Sequence, residues 1–361
     1  MNVTRDTLYP VKELFIKEVG DLITQSKIAK LAGVSRSTVE RVLNNRGDVS
    51  EATRERILEI AKNFDYQPNR AGQTLVIRRK KLKIGCIIIE AANPFYAELN
   101  KGIEEKAHEF QSYGIKVLVR KAPFTAADQI REIDGLLDEN INALVIQPIV
   151  NDPITEKLKA LEDSGIPVVT MNTDIPNHDS QFCYVGNDFH LCGMTAANIM
   201  ALITGGKCNA GIITGFANAK SHYDRIDGFK DYIRDFPDMK VIDIAENQDD
   251  DLESYHATKT MLEKHPEIDA MFLVAGGVHG AGKAIRSFKD RKIRTVSFDD
   301  MPETRKLVKD GIIQATICQQ PVRQGKMALS VLFDYFVEGK KPENNRIYTD
   351  IQIKVKANID Q

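Results

Sequence analysis

The chain has 361 residues, enough for two or three domains with a sizeable buried core. Its 42% apolar and 28% charged residues are the usage of a globular protein and exclude a fibrous or disordered one. The formal charge of -2 excludes a uniformly basic coat protein and an acidic tail, yet it is unevenly spread: residues 1–81 hold 16 Lys/Arg against 10 Asp/Glu, a net of +6, which leaves -8 for residues 82–361.

Residues 1–20 form an N-terminal extension whose amphipathic stretch, Val11 to Val19, joins neither of the modules that follow. Asp6, Glu13, Lys17 and Glu18 interrupt any apolar run there, and no later run approaches the length of a membrane span. The five cysteines (Cys86, Cys183, Cys192, Cys208 and Cys318) are odd in number and scattered, without a CxxC pair. A cytoplasmic protein without a disulfide framework, zinc site or membrane partner is expected.

Residues 21–65 contain no strand-like run. Three short helical patterns are separated by Gly33-Val34-Ser35 and by Asn44-Asn45-Arg46-Gly47. Ile28, Ala29, Leu31, Val34, Val39, Val42 and Leu43 make one apolar face over the first two patterns. Thr24 and Ser35 can cap those helices, Gly33 suits the left-handed turn between them, and Ser50 can cap the third. The spacing predicts a helix-turn-helix headpiece whose second helix presents Arg36, Ser37 and Arg41 away from the core, where side chains can reach base edges in a major groove. The bland alternative is a docking domain with a solvated basic surface. Residues 66–81 follow as a Pro-started, basic hinge or linker.

The string Gly33-Val34-Ser35, Thr38-Val39, Arg41-Val42-Leu43-Asn44, then Val49-Ser50, Thr53-Arg54 and Tyr66, Pro68-Asn69-Arg70 resembles the headpiece of the lactose-repressor (LacI/GalR) family of transcription regulators. The resemblance implies that Arg36, Ser37 and Arg41 specify DNA sequence. It also implies that Asn69 and Arg70 begin a hinge helix that forms on DNA, and that Leu75 wedges into the minor groove. Two positions depart from the pattern. Glu40 stands on the recognition helix where a small polar residue is usual, and Gly72 replaces a hinge Ala, which disfavours the isolated helix by about 1 kcal/mol.

From residue 82 to the end the sequence alternates short β-branched runs with longer amphipathic stretches, the pattern of parallel sheets covered by helices on both faces. The runs are 82–90, 115–120, 143–147, 168–171, 210–214, 241–244, 270–274 and 295–298, with a last strand over 348–355. Helices such as 97–110 and 126–137 fill the gaps. About eight strands exceed one mononucleotide-type half, so an α/β fold of two similar lobes is expected. Asn93-Pro94-Phe95-Tyr96, Asn172-Thr173-Asp174, Arg225-Ile226-Asp227-Gly228-Phe229, Asp299 and Gln319 stand mostly at the ends of those runs. There, planar amides and carboxylates can bind the polar groups of a small ligand and aromatic rings its apolar faces. Taken singly, each residue is equally well a turn former or core.

This region resembles the type I periplasmic sugar-binding proteins and the effector domain of the same repressors. The resemblance implies a two-lobed ligand-binding and dimerisation domain over 82–361, with a ligand between the lobes touching Asn93, Phe95, Tyr96, Asn172, Asp174, Tyr223, Arg225, Asp299 and Gln319. Asn172-Thr173 replaces the ribose-binding Asp-Arg, Tyr223 replaces an Arg, and Ala275-Gly276-Gly277 replaces Asn-Asp. With two cationic donors gone, pentose and hexose cannot be told apart, and a polyol, a cyclitol or a less polar ligand stays open. Arg225 can supply a donor, although the second Arg of this segment is more often structural in the family.

Enzyme signals are thin. Gly277-Val278-His279-Gly280-Ala281-Gly282-Lys283 approaches a phosphate-binding loop, but Ala284 stands where that loop needs a hydroxyl for magnesium. The seven histidines show no metal-ligand spacing, and there is no GxSxG elbow. The expectation is a non-enzymatic, cofactor-free regulator that represses carbohydrate uptake or catabolism genes as a homodimer on a palindromic double-stranded operator, answering to a sugar or polyol. A sugar-binding sensor without DNA function and a nucleotide-using enzyme are the alternatives.

Overall fold

The computed structural model describes residues 23–43, 49–64, 66, 78, 80–90, 94–123, 125–176, 181–216 and 219–361. The chain divides into two units, Met1–Arg79 with Phe336–Lys340 and Lys80–Tyr335 with Lys341–Gln361.

In the first unit, α1 (Gln25–Ala32), α2 (Arg36–Leu43) and α3 (Glu51–Asn63) enclose a small core of Ile28, Ala29, Ala32, Val39, Val42 and Ile57. Each Ile or Val buried there contributes about 1.5–3 kcal/mol, so the helices are held by one another more than by helix propensity. Thr24 Oγ1 accepts the Lys27 N–H at 3.3 Å, and Gly33 ends α1 at a φ of 66° that a side chain would strain. Ser35 Oγ accepts the Thr38 N–H at 3.1 Å at the start of α2. Ser50 departs from expectation. Its hydroxyl pairs with Thr53 Oγ1 at 2.8 Å and makes no cap bond to the backbone of α3, because the third residue offers a competing hydroxyl where a full capping box has Glu or Gln.

The second unit opens with β1 (Lys83–Ile89), α4 (Pro94–Tyr113), β2 (Lys116–Ala122), α5 (Ala126–Asp138), β3 (Ala143–Ile146), α6 (Asp152–Asp163), β4 (Val168–Met171) and β5 (Cys183–Gly186). It continues through α7 (Phe189–Thr204), β6 (Cys208–Thr214), α8 (Lys220–Ile233), β7 (Met239–Glu246), α9 (Asp251–Lys264), β8 (Ala270–Leu273), α10 (Val278–Ser287), β9 (Arg294–Phe298), α11 (Pro302–Lys309) and β10 (Ala315–Cys318). It ends with α12 (Pro321–Phe333), β11 (Arg346–Tyr348) and β12 (Gln352–Val355), and a π-helical turn (Asp334–Glu338) follows α12.

These strands make two six-stranded sheets, ordered β11-β5-β4-β3-β1-β2 and β12-β10-β9-β8-β6-β7. The first is parallel throughout, and the second is parallel except for β12, which runs antiparallel to β10. Both repeat one doubly wound order, 2-1-3-4-5, whose ligands bind beyond the carboxyl ends of the strands. The central strands β3, β4, β8 and β10 are buried along their whole length, as sheets covered on both faces require. Helices α7 and α8 cross very closely: a Cβ on Gly193 would lie 2.0 Å from the Arg225 carbonyl oxygen.

The α/β two-lobed expectation matches this architecture, with differences in detail. The expected strand over 348–355 is two strands, β11 in one sheet and β12 in the other. Strands β5 (Cys183-Tyr184-Val185-Gly186) and β10 (Ala315-Thr316-Ile317-Cys318) have four residues each and, unlike the equally short β3, β4 and β8, are not nearly continuous apolar runs, so they do not stand out in the sequence.

The chain passes between the lobes three times, after β5, after β10 and between β11 and β12. Hydrogen bonds tie the three passages together. Gln324 Nε2 donates to Asn187 Oδ1 and to the Gln319 carbonyl, both at 2.8 Å, and the Thr349 N–H donates to the Gly186 carbonyl at 2.7 Å. The expected hinge residues Asn69, Arg70, Gly72 and Leu75, the extension 1–20 and Asn93 lie outside the described residues.

Candidate functional site

The first candidate surface is the outward face of α2. Val39 and Val42 point into the headpiece core, so Arg36, Ser37, Glu40 and Arg41 are left exposed together. Ser37 Oγ lies 2.7 Å from Ser35 Oγ. The short helix thus offers two guanidiniums, a hydroxyl and one carboxylate on a single side, a set able to form bidentate hydrogen bonds to guanine.

The second candidate site lies in the two-lobed unit, where the strand ends of both sheets bring polar side chains together. From the first lobe come Phe95 and Tyr96 at the start of α4, Gln147 after β3 and Asn172 after β4. The Phe95 and Tyr96 rings meet edge to face at 5.6 Å and 87°. From the second lobe come His222 and Arg225 on α8, Asp249 after β7 and Asp299 after β9, with Gln319 at a passage between lobes. Asn172 and Asp299 occupy matching places in the two sheets and both adopt left-handed backbone, with φ of 60° and 61°. That conformation suits Asn and Asp best among residues with a side chain.

Asp299 is the centre of the second-lobe group. Its two carboxylate oxygens accept Gln319 Nε2 at 2.9 and 3.0 Å, and Gln319 Oε1 accepts Arg225 Nη2 at 2.7 Å. Burial pushes the Asp299 carboxyl up to about 6, against the opposing effects of Arg225 and Gln319. Arg225 is 4% exposed. Its guanidinium is stacked between the rings of Phe298 at 4.1 Å and Phe189 at 4.7 Å, and Nη1 donates to the Val274 carbonyl at 2.6 Å. Nη1 and Nη2 each make one bond within the protein, and the bond to Gln319 Oε1 ties Arg225 to the Gln319–Asp299 pair.

Tyr96 spans the lobes. Burial first and then the Asp249 carboxylate push its phenol up to about 12, while Gln147 and Arg225 act in the opposite direction. Asp249, itself at a φ of 58°, accepts the Gly276 N–H at 2.9 Å. His222 Nδ1 accepts the Phe216 N–H at 3.1 Å, and burial together with the nearby Arg225 charge lowers its ring to about 4, so it is neutral at physiological pH. Gln147 Oε1, Asn172 Oδ1 and Arg225 Nε are buried without a hydrogen-bond partner in the protein. A buried polar atom left unpaired is open to a ligand or water partner, and others of the kind lie elsewhere among the described residues, Thr214 and Ser297 for example.

Among the expected contact residues, Phe95, Tyr96, Asn172, Asp299 and Gln319 stand at facing strand ends. Asp174 is turned elsewhere, accepting Arg346 Nε and Gln181 Nε2 at 2.9 Å each. Tyr223 is 60% exposed, and the neighbouring His222 takes the inward position on α8. Gln147 and Asp249 were not anticipated. Gln147 closes the run 143–147 and reads there as the last residue of a strand, and Asp249 lies within Gln248-Asp249-Asp250-Asp251, which reads as a solvated loop.

The glycine-rich segment before α10 is built against its own protein. Besides the Gly276 contact, the Gly280 N–H donates to Asp251 Oδ1 at 3.2 Å. Carboxylates thus occupy backbone donors that a phosphate-binding loop presents to its ligand. All five cysteines are buried, and burial raises the thiols of Cys86, Cys183, Cys192 and Cys318 to about 12, outside the range of a reactive nucleophile. No helix among the described residues is long and apolar enough to cross a membrane.

Comparison with known proteins matches both parts of the chain. Residues 84–341 match the periplasmic binding protein domain, and residues 26–69 match the bacterial regulatory proteins of the lacI family. The chain is 27% identical over 311 residues to the ribose operon repressor of Halalkalibacterium halodurans, covering 83% of this chain and 86% of that one. It is 27% identical over 264 residues to the ribose import binding protein RbsB of Bacillus subtilis, covering 73% and 84%. Among solved structures, it is similar to a transporter solute-binding protein from Burkholderia graminis in complex with D-arabinose, with a TM-score of 0.71, 27% identity and coverage of 77% and 96%. The chain therefore belongs to the periplasmic binding protein domain family and carries a lacI-family headpiece, which makes it a ligand-responsive, DNA-binding transcription regulator.

Proposed function

We propose that this regulator is a cytoplasmic, non-enzymatic repressor of carbohydrate uptake or catabolism genes. It binds a palindromic operator as a homodimer, since two recognition helices are needed for two half-sites about one helical turn apart. Arg36, Ser37 and Arg41 read bases, Asn69 and Arg70 start the hinge, and Leu75 enters the minor groove. The effector is a sugar or polyol held between the lobes by Asn93, Phe95, Tyr96, Gln147, Asn172, His222, Asp249, Asp299 and Gln319. Arg225 is assigned to positioning, Tyr223 to the edge of the site, and Asp174 to the neighbouring wall.

The observation that carries this reading is the meeting of aromatic rings and planar polar groups at the strand ends of both sheets, with Gln147 Oε1 and Asn172 Oδ1 buried and unpartnered. Carboxylates and amides bind vicinal hydroxyls in pairs, and a ring face covers the C–H side of a sugar. Relatives named as a ribose operon repressor and a ribose import binding protein favour the same ligand class.

The test is a thermal-shift screen of the purified chain with monosaccharides, polyols and cyclitols. A binder present at 100 times its Kd stabilises the folded protein by about 2.7 kcal/mol, an easily read shift. Asp299→Asn should abolish the shift. A panel without any shift, or a shift unchanged in the variant, rejects the assigned site.

A further inference from the structure

A polar cavity lies beside the cluster around Asp299. Its volume is about 340 Å³, within the range of about 300–1,000 Å³ usual for small-molecule sites. Both lobes line it: Thr173, Tyr184 and Tyr348 from the first, and Phe189, Ser221 and Asp224 from the second. Two links join it to the cluster already described. Thr173 directly follows Asn172, and the Phe189 ring that faces the cavity stacks on the Arg225 guanidinium at 4.7 Å.

The chemistry of the walls selects a ligand. Asp174, Asp188 and Asp224 outnumber the permanent cations Lys220 and Arg346, and His190, also in the wall, is paired with Asp231 at 3.0 Å. Both cations are matched by carboxylates, Arg346 Nε to Asp174 Oδ2 at 2.9 Å and Lys220 Nζ to Asp224. A phosphate or sugar acid would add negative charge where none is left to compensate it. Hydroxyls, by contrast, can donate to the remaining carboxylate oxygens. Tyr348, 49% exposed and set edge-on to Tyr184 at 6.1 Å, supplies the ring face that a sugar stacks on.

We propose that this cavity receives a second, uncharged sugar ring, so that the effector is a disaccharide or glycoside lying across both sites. The proposal rests on the sugar site assigned above and specifies the length of its ligand. Because the cavity is walled by both lobes, the second ring adds contacts that exist only when the lobes are together, which makes the longer ligand the better stabiliser of that state.

The experiment is calorimetric titration of the full chain with neutral disaccharides and with their component monosaccharides. The expected result is a disaccharide that binds at least about tenfold more tightly than either of its halves, an advantage of about 1.4 kcal/mol. Ser221→Trp, which fills the cavity from α8, should erase that advantage and leave monosaccharide affinity within about twofold. Tyr348→Ala repeats the test without adding bulk and should also reduce the advantage. Equal affinity for both lengths, unaltered in the two variants, overturns the second site and leaves the central sugar site standing. Failure of sugars of either length to bind overturns both.

Discussion

Asp299 and His222 carry opposite pH signatures within one cluster. The Asp299 carboxyl is raised from 3.8 to about 6, so between those values the folded chain holds a proton that the unfolded chain has lost, and this contribution to stability grows as pH falls. His222 is lowered from 6.5 to about 4, so in that interval the unfolded chain holds the extra proton and stability falls with pH. Each displacement corresponds to about 3 kcal/mol, so the two contributions nearly cancel between pH 6 and 4. Asp299→Asn should unmask the histidine: relative to wild type, its melting temperature should fall more steeply on acidification from pH 6.5 to 4.5. Parallel melting curves for the two proteins would remove the buried carboxylate from this account. Residues of this kind differ in how legible they are. Asp299 follows a clear β-branched run, whereas Asp249 is indistinguishable by sequence from the acidic loop around it and acquires its position only through a left-handed turn and the Gly276 N–H.

At the scale of elements, the site depends on the crossing of α7 over α8, since α8 carries both His222 and Arg225. Gly193 permits that crossing. An added Cβ would meet the Arg225 carbonyl at 2.0 Å, a backbone atom that cannot swing away. Gly193→Ala should therefore cost about 1–3 kcal/mol in stability and weaken effector binding through Arg225 and Gln319. Gly135 provides the control: it lies in the last turn of α5 with no neighbour within 4 Å of an added Cβ, so Gly135→Ala should stabilise by up to about 0.5–1 kcal/mol. Denaturant titration of the two variants measures both signs, and equal changes would reject the packing argument. The seven-residue β1 and β6 and the four-residue β3, β4 and β8 were readable because their runs are almost wholly apolar. The short β5, β10 and β11 (Cys183-Tyr184-Val185-Gly186, Ala315-Thr316-Ile317-Cys318 and Arg346-Ile347-Tyr348) were not, since polar or small residues interrupt them and their identity comes from neighbouring strands in the sheets. The split of 348–355 into β11 and β12 is likewise a property of two separate sheets competing for one segment.

At the scale of the molecule, regulation requires that effector and operator each prefer one of the same two states. An effector with equal affinity for both states shifts nothing, and a coupling of about 1–3 kcal/mol, or 5–150-fold, is the usual size. Two variants separate the modules. Arg36→Ala with Arg41→Ala should abolish sequence-specific operator binding and leave the effector-induced thermal shift intact. Asp299→Asn should keep operator affinity and lose its response to effector. In wild type the factor by which effector changes operator Kd must equal the factor by which operator changes effector Kd, whichever sign the regulation takes. Fluorescence titrations in both orders, at one fixed salt concentration because phosphate contacts are salt-dependent, measure the two factors. If the headpiece pair of substitutions left operator affinity unchanged, the exposed face of α2 would not be the reading surface. If effector and operator bound with no mutual influence, the lobes would bind a sugar without governing DNA, and the sensor reading would replace the repressor.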